Sequence, residues 1–281
     1  MENTCRRPPR IISLLPTKDG ARTQTLATRW RHLWLAAPLS LDVSGIPAAN
    51  QDALSGVISR VLAAHPGPAR RFSVPALHLY SRPETVSDWL RSPALSNLQE
   101  LEFHVGVDSF GTMAIQRLSL LVSTSQFSTT LRVLTISRCH LLDGAVETLH
   151  FPQHRYLGLE RCNISGGSLH GVIDGCPVLQ YLLLKDTYGF GCLRINSPTL
   201  ISLFMSPGEV IIQDAPLLES LLQHNQCQGL RALVISAPNL KTLGSLSGIS
   251  NANKLVFDTT IIQLYDGGLQ CQDVSYLYVQ P

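Results

Sequence analysis

The 281-residue chain predicts an α/β solenoid, in which short parallel strands stack into one curved sheet and helices or loops return on its convex side. Three observations carry that expectation. A leucine pattern of strand length recurs from about residue 98 onward. Its copies are separated by a similar interval. Prolines stand at a shared offset before several of them.

The pattern is sharpest as Leu131-x-x-Leu134-x-Ile136-x-x-Cys139-x-Leu141 and as His154-x-x-Leu157-x-Leu159-x-x-Cys162-x-Ile164. It is also present as Leu98-x-x-Leu101-x-Phe103 and Leu179-x-x-Leu182-x-Leu184. Weaker copies are Leu200-x-x-Leu203-x-Met205, Leu218-x-x-Leu221, Leu230-x-x-Leu233-x-Ile235 and Leu240-x-x-Leu243. With one anchor leucine per copy, at 101, 134, 157, 182, 203, 221 and 243, the intervals are 33, 23, 25, 21, 18 and 22 residues. All but the first lie in or near the period of leucine-rich repeats, about 20–29 residues.

The physical reason for the pattern is the strand period of two. In L-x-L the leucines point inward while the residue between them faces solvent. One coil cannot bury its leucines alone, so the copies must stack. Cys139 and Cys162 fall where such repeats turn, a place for a small buried side chain bonded to neighbouring backbone. The prolines of Ile195-Asn-Ser-Pro198-Thr-Leu200 and Ile235-Ser-Ala-Pro238-Asn-Leu240 end one element two residues before the next leucine. Ile212-Gln-Asp-Ala-Pro216-Leu-Leu218 repeats the motif with one residue inserted.

Upstream, Leu54, Val57, Ile58, Val61 and Leu62 form one apolar stripe, predicting a helix over 52–64 that His65-Pro66-Gly67-Pro68 ends. Phe72 to Tyr80 reads as a first irregular strand, and Val86, Trp89 and Leu90 as a short helix with Trp89 in the core. The expected organisation is a helical N-terminal segment over 1–45, a connecting and capping region over 46–97, and repeats over 98–281.

Composition narrows the function. A 44% hydrophobic content and 15% charged residues suit a large core. No apolar run approaches the roughly 18 residues of a membrane span, and the N-terminus lacks a signal-peptide core. Seven cysteines without close pairs then read as reduced thiols of an intracellular protein, in the nucleus and/or cytoplasm. Residues 1–40 hold seven Lys/Arg against Glu2 and Asp19; with +2 for the whole chain, the rest carries −3. No basic stripe extends into that larger part, which argues against nucleic acid as a partner.

Catalytic signatures such as G-x-S-x-G, a P-loop or H-E-x-x-H are missing. The glycines from Gly166 to Gly175 lack a lysine and read as a return loop. Cys139, His150, His154 and Cys162 are the most tempting metal set. However, Pro152 breaks the helical face His150 and His154 would need, and both cysteines already have repeat roles. The sequence therefore predicts a binding protein, not an enzyme, with no catalytic residue, cofactor or metal.

Near the N-terminus stands LLPTKDGARTQTLATRWRHLW, Leu14 to Trp34, with two of the three tryptophans. Thr17 and Thr28 can cap two short helices, whose Leu26, Trp30, Leu33 and Trp34 form an apolar face. From spacing alone that face is either a cap on the solenoid or a docking surface.

The same residues resemble the second half of an F-box of the plant type that precedes leucine-rich repeats. The match runs through Leu15-Pro16-Thr17-Lys18-Asp19, Arg22-Thr23, Leu26 and Arg29-Trp30-Arg31-His32-Leu33-Trp34, and Ile58 to Ser73 is similar too. The first F-box helix is represented only by Ile11 to Leu15, so a short helical partial F-box, truncated at its N-terminus, is expected before the solenoid. The resemblance implies a substrate-recognition subunit of a Skp–cullin–F-box ubiquitin ligase. Leu14, Leu15, Pro16, Leu26, Trp30, Leu33 and Trp34 would dock a Skp-type adaptor, and through it a cullin–RING ligase. The repeats would hold an unknown target protein. The alternative is a repeat scaffold for protein interactions with no ubiquitin role.

Overall fold

The computed structural model describes residues 37–43, 51–65, 68–105, 116–118, 124–141, 150–206, 208–223, 231–245, 254–257, 260–263 and 277–279. Nine short strands form one sheet in the order β1-β2-β3-β5-β7-β9-β11-β13-β15. These are β1 (Leu39–Asp42), β2 (Ala69–Pro75), β3 (Glu100–His104), β5 (Val133–Ser137), β7 (Tyr156–Glu160), β9 (Tyr181–Lys185), β11 (Ser202–Met205), β13 (Ser220–Gln223) and β15 (Thr242–Ser245). Every adjacent pair in it is parallel.

The register shows why the sequence stacks this way. Leu41, Phe72, Leu101, Leu134, Leu157, Leu182, Leu203, Leu221 and Leu243 are partners in succession across the sheet. All seven anchor leucines read from the sequence fall on this single ladder. From Leu41 to Leu221 its side chains are buried. Each fully buried leucine contributes about 1.5–3 kcal/mol, and a slip by one residue would turn all of them to the opposite face.

The sheet crosses the expected boundary at 97/98, because β1 and β2 are its first two strands. The stretch Phe72 to Tyr80 divides: β2 ends at Pro75, and Leu77–Ser81 turns into a helix, α2. The helix expected over 52–64 is α1 (Gln51–Ala64), with Leu54, Ile58 and Leu62 buried but Val57 39% exposed. The apolar stripe is thus narrower than its spacing suggests. In α3 (Pro83–Leu90), Trp89 is core: its ring stands edge-on to Phe72 and His78, and its Nε1–H donates to Ser59 Oγ at 2.8 Å.

A second set of strands follows the main strands from β3 onward. β4 (Gln116–Leu118), β6 (Cys139–Leu141) and β8 (Asn163–Ile164) form one small sheet. β10 (Cys192–Asn196), β12 (Glu209–Asp214), β14 (Arg231–Val234) and β18 (Leu277–Val279) form another. The weak copy from Leu230 to Ile235 therefore belongs to this second layer, and Ile235 is 58% exposed. Between β14 and β18, β16 (Lys254–Phe257) and β17 (Thr260–Gln263) pair antiparallel.

The proline motifs join a strand of the second layer to the next main strand. There Leu218 N–H donates to Ala215 O, and Leu240 N–H to Ala237 O, both over 3.1 Å. Thr199 Oγ1 and Asn239 Nδ2 then reach back to the preceding coil at Leu179 O and Pro216 O. The glycine-rich stretch expected as a loop is a helix, α4 (Gly166–Asp174). Ser165 Oγ accepts the Ser168 N–H at 3.2 Å, and Leu169 and Val172 bury one face, which outweighs the low helix propensity of glycine. Among the described residues no helix is long and apolar enough to cross a membrane.

Candidate functional site

The residues expected to dock an adaptor, Leu14, Leu15, Pro16, Leu26, Trp30, Leu33 and Trp34, lie outside the described residues. Ala37, three positions past Trp34, is already buried. The binding face that can be built from its atoms is the side of the main sheet opposite the leucine ladder.

One end of that face is charged. Arg71 on β2 is surrounded by carboxylates from both neighbouring strands: Nη2 lies 2.6 Å from Glu102 Oε2 and 3.4 Å from Asp42 Oδ2, and Nη1 lies 3.1 Å from Glu100 Oε2. Burial pulls the Arg71 pKa down, but Glu102, Asp42 and Glu100 together outweigh it and hold it above its ordinary value. Arg70 Nη2 adds a second bond to Glu100, at 3.2 Å. Parallel strands place these side chains one strand spacing apart, so opposite charges in register meet without long reach.

Ser73, Glu102 and His104 gather beside this network. Ser73 is fully buried, and its hydroxyl donates to Glu102 Oε2 at 2.9 Å while standing 3.4 Å from His104 Nδ1. The hydroxyl proton thus goes to the carboxylate, not to the imidazole as in an activated nucleophile. Burial lowers the His104 pKa, against the pull of Glu102 and Asp42.

The other end is apolar. Val133, Tyr156, Leu183 and Phe204 form a separate buried cluster, with Tyr181 and Leu222 half-buried against it. The sequence expects these intervening positions to face solvent; instead they pack on one another. Gly158 makes this possible. A Cβ there would stand 3.1 Å from Tyr156 Cε1 and 3.1 Å from Thr135 Oγ1, so any other side chain would push the Tyr156 ring or Thr135 aside by a few tenths of an ångström.

At the ends of β5, β7 and β9 the chain turns sharply into the second layer. Arg138, Arg161 and Asp186 occupy equivalent corners with φ of 57°, 52° and 49°. This left-handed backbone costs a non-glycine residue about 1–2 kcal/mol. Bonds to the next coil offset it: Arg138 N–H donates to Glu160 O at 2.8 Å, Arg161 N–H to Lys185 O at 2.7 Å, and Asp186 N–H to Ser206 Oγ. Below the corners, Glu160 and Lys185 face each other in register. Burial raises the Glu160 pKa, with Lys185 opposing.

Of the tempting metal set, Cys139 and Cys162 do come together, their Sγ atoms 3.3 Å apart and the Cys162 thiol donating to Ile136 O. That is the repeat role read from the sequence. His154 is fully buried and tilted against Phe151, in the slot that leucine fills in neighbouring coils. Among the described residues no group of three or more His, Cys, Asp or Glu could hold a metal ion.

The sequence reading missed the charged end, the apolar cluster and the corner arginines. Only one signal pointed to a corner: the C-x-L that follows L-x-L at a fixed distance.

Comparisons with known proteins agree with this architecture. Residues 86–267, well over half of the chain, match the family model "FBD-associated F-box protein At5g56370, LRR repeats". Among curated relatives, the F-box/FBD/LRR-repeat protein At1g13570 of Arabidopsis thaliana is 24% identical over 221 residues, 75% of this chain and 50% of its own. The Arabidopsis thaliana F-box/LRR-repeat protein At4g14103 is 28% identical over 201 residues, 68% of this chain and 50% of its own. The Arabidopsis thaliana FBD-associated F-box protein At5g44490 is 26% identical over 208 residues, 70% and 41% respectively. The chain spans about half the length of the curated relatives it matches. No solved structure matches it. A parallel sheet with an in-register leucine ladder, seven of its nine strands lying within a family match of this extent, places the chain in the plant F-box/leucine-rich-repeat family of FBD-associated F-box proteins.

Proposed function

We propose that this protein is an F-box-type adaptor, the substrate-recognition subunit of a Skp–cullin–F-box ubiquitin ligase. Its segment around Trp30 and Trp34 docks a Skp-type adaptor, and the repeat surface captures a protein destined for ubiquitination. The observation that carries the reading is the match of residues 86–267 to repeats of F-box proteins. Tryptophan and arginine beside leucine in this segment suit an interface, where a few such anchors supply most of the affinity. On this reading the chain does no chemistry itself, needs no cofactor and works inside the cell, in the nucleus and/or cytoplasm.

Co-purification with a plant Skp-type adaptor tests the docking. The wild-type chain retains the adaptor, and Trp30→Ala with Trp34→Ala weakens retention about thirtyfold or more. A folded wild-type chain that does not retain the adaptor overturns the ligase reading.

One observation favours a second reading, a protein-interaction scaffold. Only two residues separate Trp34 from buried Ala37, a spacing that also suits a terminal cap on the solenoid. Deleting residues 1–36 lowers the melting temperature strongly if that segment is a cap and leaves it nearly unchanged if it is a docking arm.

A further inference from the structure

Two chemistries supply the positive charge of this chain, and they are unevenly placed. Of its 22 Lys and Arg only four are lysine, at 18, 185, 241 and 254, and thirteen arginines stand between Lys18 and Lys185 with no lysine among them. Geometry explains few of those arginines. Arg70 and Arg71 use a forked guanidinium to reach their carboxylates. Arg60, Arg132 and Arg155 are exposed, and among the described residues their guanidiniums bond to nothing. The strand register shows that lysine suits such a place. Arg155 leads into β7 and its N–H donates to Arg132 O at 2.9 Å; Lys241 leads into β15 and its N–H donates to Glu219 O at the same 2.9 Å. One position of the coil thus carries arginine in the early coils and lysine in the last.

The lysines differ as sharply in access. Lys185 is buried, in register with Glu160. Lys241 Nζ lies 3.0 Å from Glu219 Oε1, but with 67% of its side chain exposed the pair holds it only loosely. Of the described side chains, Lys241 therefore carries the open amine, on the last strand of the main sheet. Ubiquitin leaves a carrier thioester when an unprotonated lysine amine attacks the thioester carbonyl. The C–N isopeptide bond forms, the C–S bond breaks, and the proton lost by the amine is taken up by the departing thiolate. Arginine cannot serve, because its guanidinium stays protonated and offers donors only.

We propose that the solenoid wall from β1 to β8 carries its charge on arginine so that it offers no acceptor to a ubiquitin thioester. Ubiquitin brought to this chain then passes to the captured protein, and self-modification is confined to the few lysines, Lys241 foremost. A ligase holds the adaptor and its captured protein at equally high effective concentration, so the partner that presents amines along the shared surface becomes the acceptor. The inference rests on the ligase reading and adds to it a direction of transfer.

The full chain is incubated with a Skp-type adaptor, a cullin–RING ligase, ubiquitin and its activating and conjugating enzymes, with no captured protein added. It is compared with the triple variant Arg60→Lys, Arg132→Lys, Arg155→Lys. Both chains retain the adaptor and melt at the same temperature, because the three guanidiniums bond to nothing. In a short pulse the variant gains about tenfold or more ubiquitin over wild type. Mass spectrometry of tryptic peptides places the added ubiquitin on the three new lysines, and that of wild type foremost on Lys241. A variant that retains the adaptor yet gains no ubiquitin, or a wild type modified as fast as the variant, overturns the proposal and leaves the ligase reading standing. A folded wild-type chain that does not retain the adaptor overturns both.

Discussion

Arg71 Nη2 on β2 donates to Glu102 Oε2 on β3 across 2.6 Å, the centre of a half-buried network that also ties in Asp42 and Glu100. Arg71 is thereby the common counter-charge of three carboxylates drawn from two neighbouring strands. Removing it leaves those carboxylates crowded and poorly solvated. Arg71→Met is expected to lose about 3 kcal/mol of stability, measured by urea unfolding. Adding Glu102→Gln restores part of that loss; independent, additive losses in the two variants would show that the pair is not coupled.

His154 makes the fold acid-sensitive. Burial, with neither ring nitrogen hydrogen-bonded, lowers its pKa from the ordinary 6.5 to about 4. The unfolded chain therefore binds this proton more readily than the folded one. The contribution is fully present above pH 6.5 and is lost as pH falls through the window down to about 4. By pH 5 the loss reaches about 2 kcal/mol. His154→Leu, which restores the leucine of the other coils, removes this part of the acid sensitivity. Unfolding curves of both proteins at pH 7 and pH 5 check it; an equal acid loss in the variant would refute the assignment.

At Gly158 the space for a side chain is already taken by the Tyr156 ring and Thr135. Gly158→Val overfills the outward face and costs about 1–3 kcal/mol. Near-ultraviolet circular dichroism of the tyrosines changes in the same variant if the ring is displaced, and stays the same if the ring is packed elsewhere.

The paired thiols are expected to be inert. Its hydrogen bond to Cys162, then burial, hold the Cys139 pKa well above its ordinary value. Cys176 is pushed up to about 12 by burial. In a short alkylation pulse read by mass spectrometry, Cys192, only half-buried, labels ahead of Cys139, Cys162 and Cys176. Early labelling of Cys139 or Cys162 would mean that their coils open in the native state.

Much of the solenoid was legible in the leucines because a stacked parallel sheet requires the same residue type at the same register in every coil. The seven anchors land on one ladder for that reason. Legibility failed upstream, where the ladder residues are Leu41 and Phe72, at intervals of 31 and 29 residues before Leu101. There the period is stretched and lacks the L-x-x-L signature, so β1 read as part of the helical N-terminal segment and β2 as an irregular strand outside the repeats. Gly166 to Asp174 misled for another reason: a cap by Ser165 and burial of Leu169 and Val172 decide for helix against local propensity.

By itself, the sequence determined the repeat, its period, the inward residues and the core place of Trp89 and Cys162. These follow from a local alternation that any stacking partner must meet. The tertiary structure alone decided what the opposite face carries. Which charge meets Arg71, that Tyr156 packs with Val133, Leu183 and Phe204, and that Arg138 and Arg161 occupy neighbouring corners depend on residues more than twenty positions apart coming into register. Those outward positions carry no periodic constraint, so their chemistry becomes readable only when neighbouring coils are laid side by side.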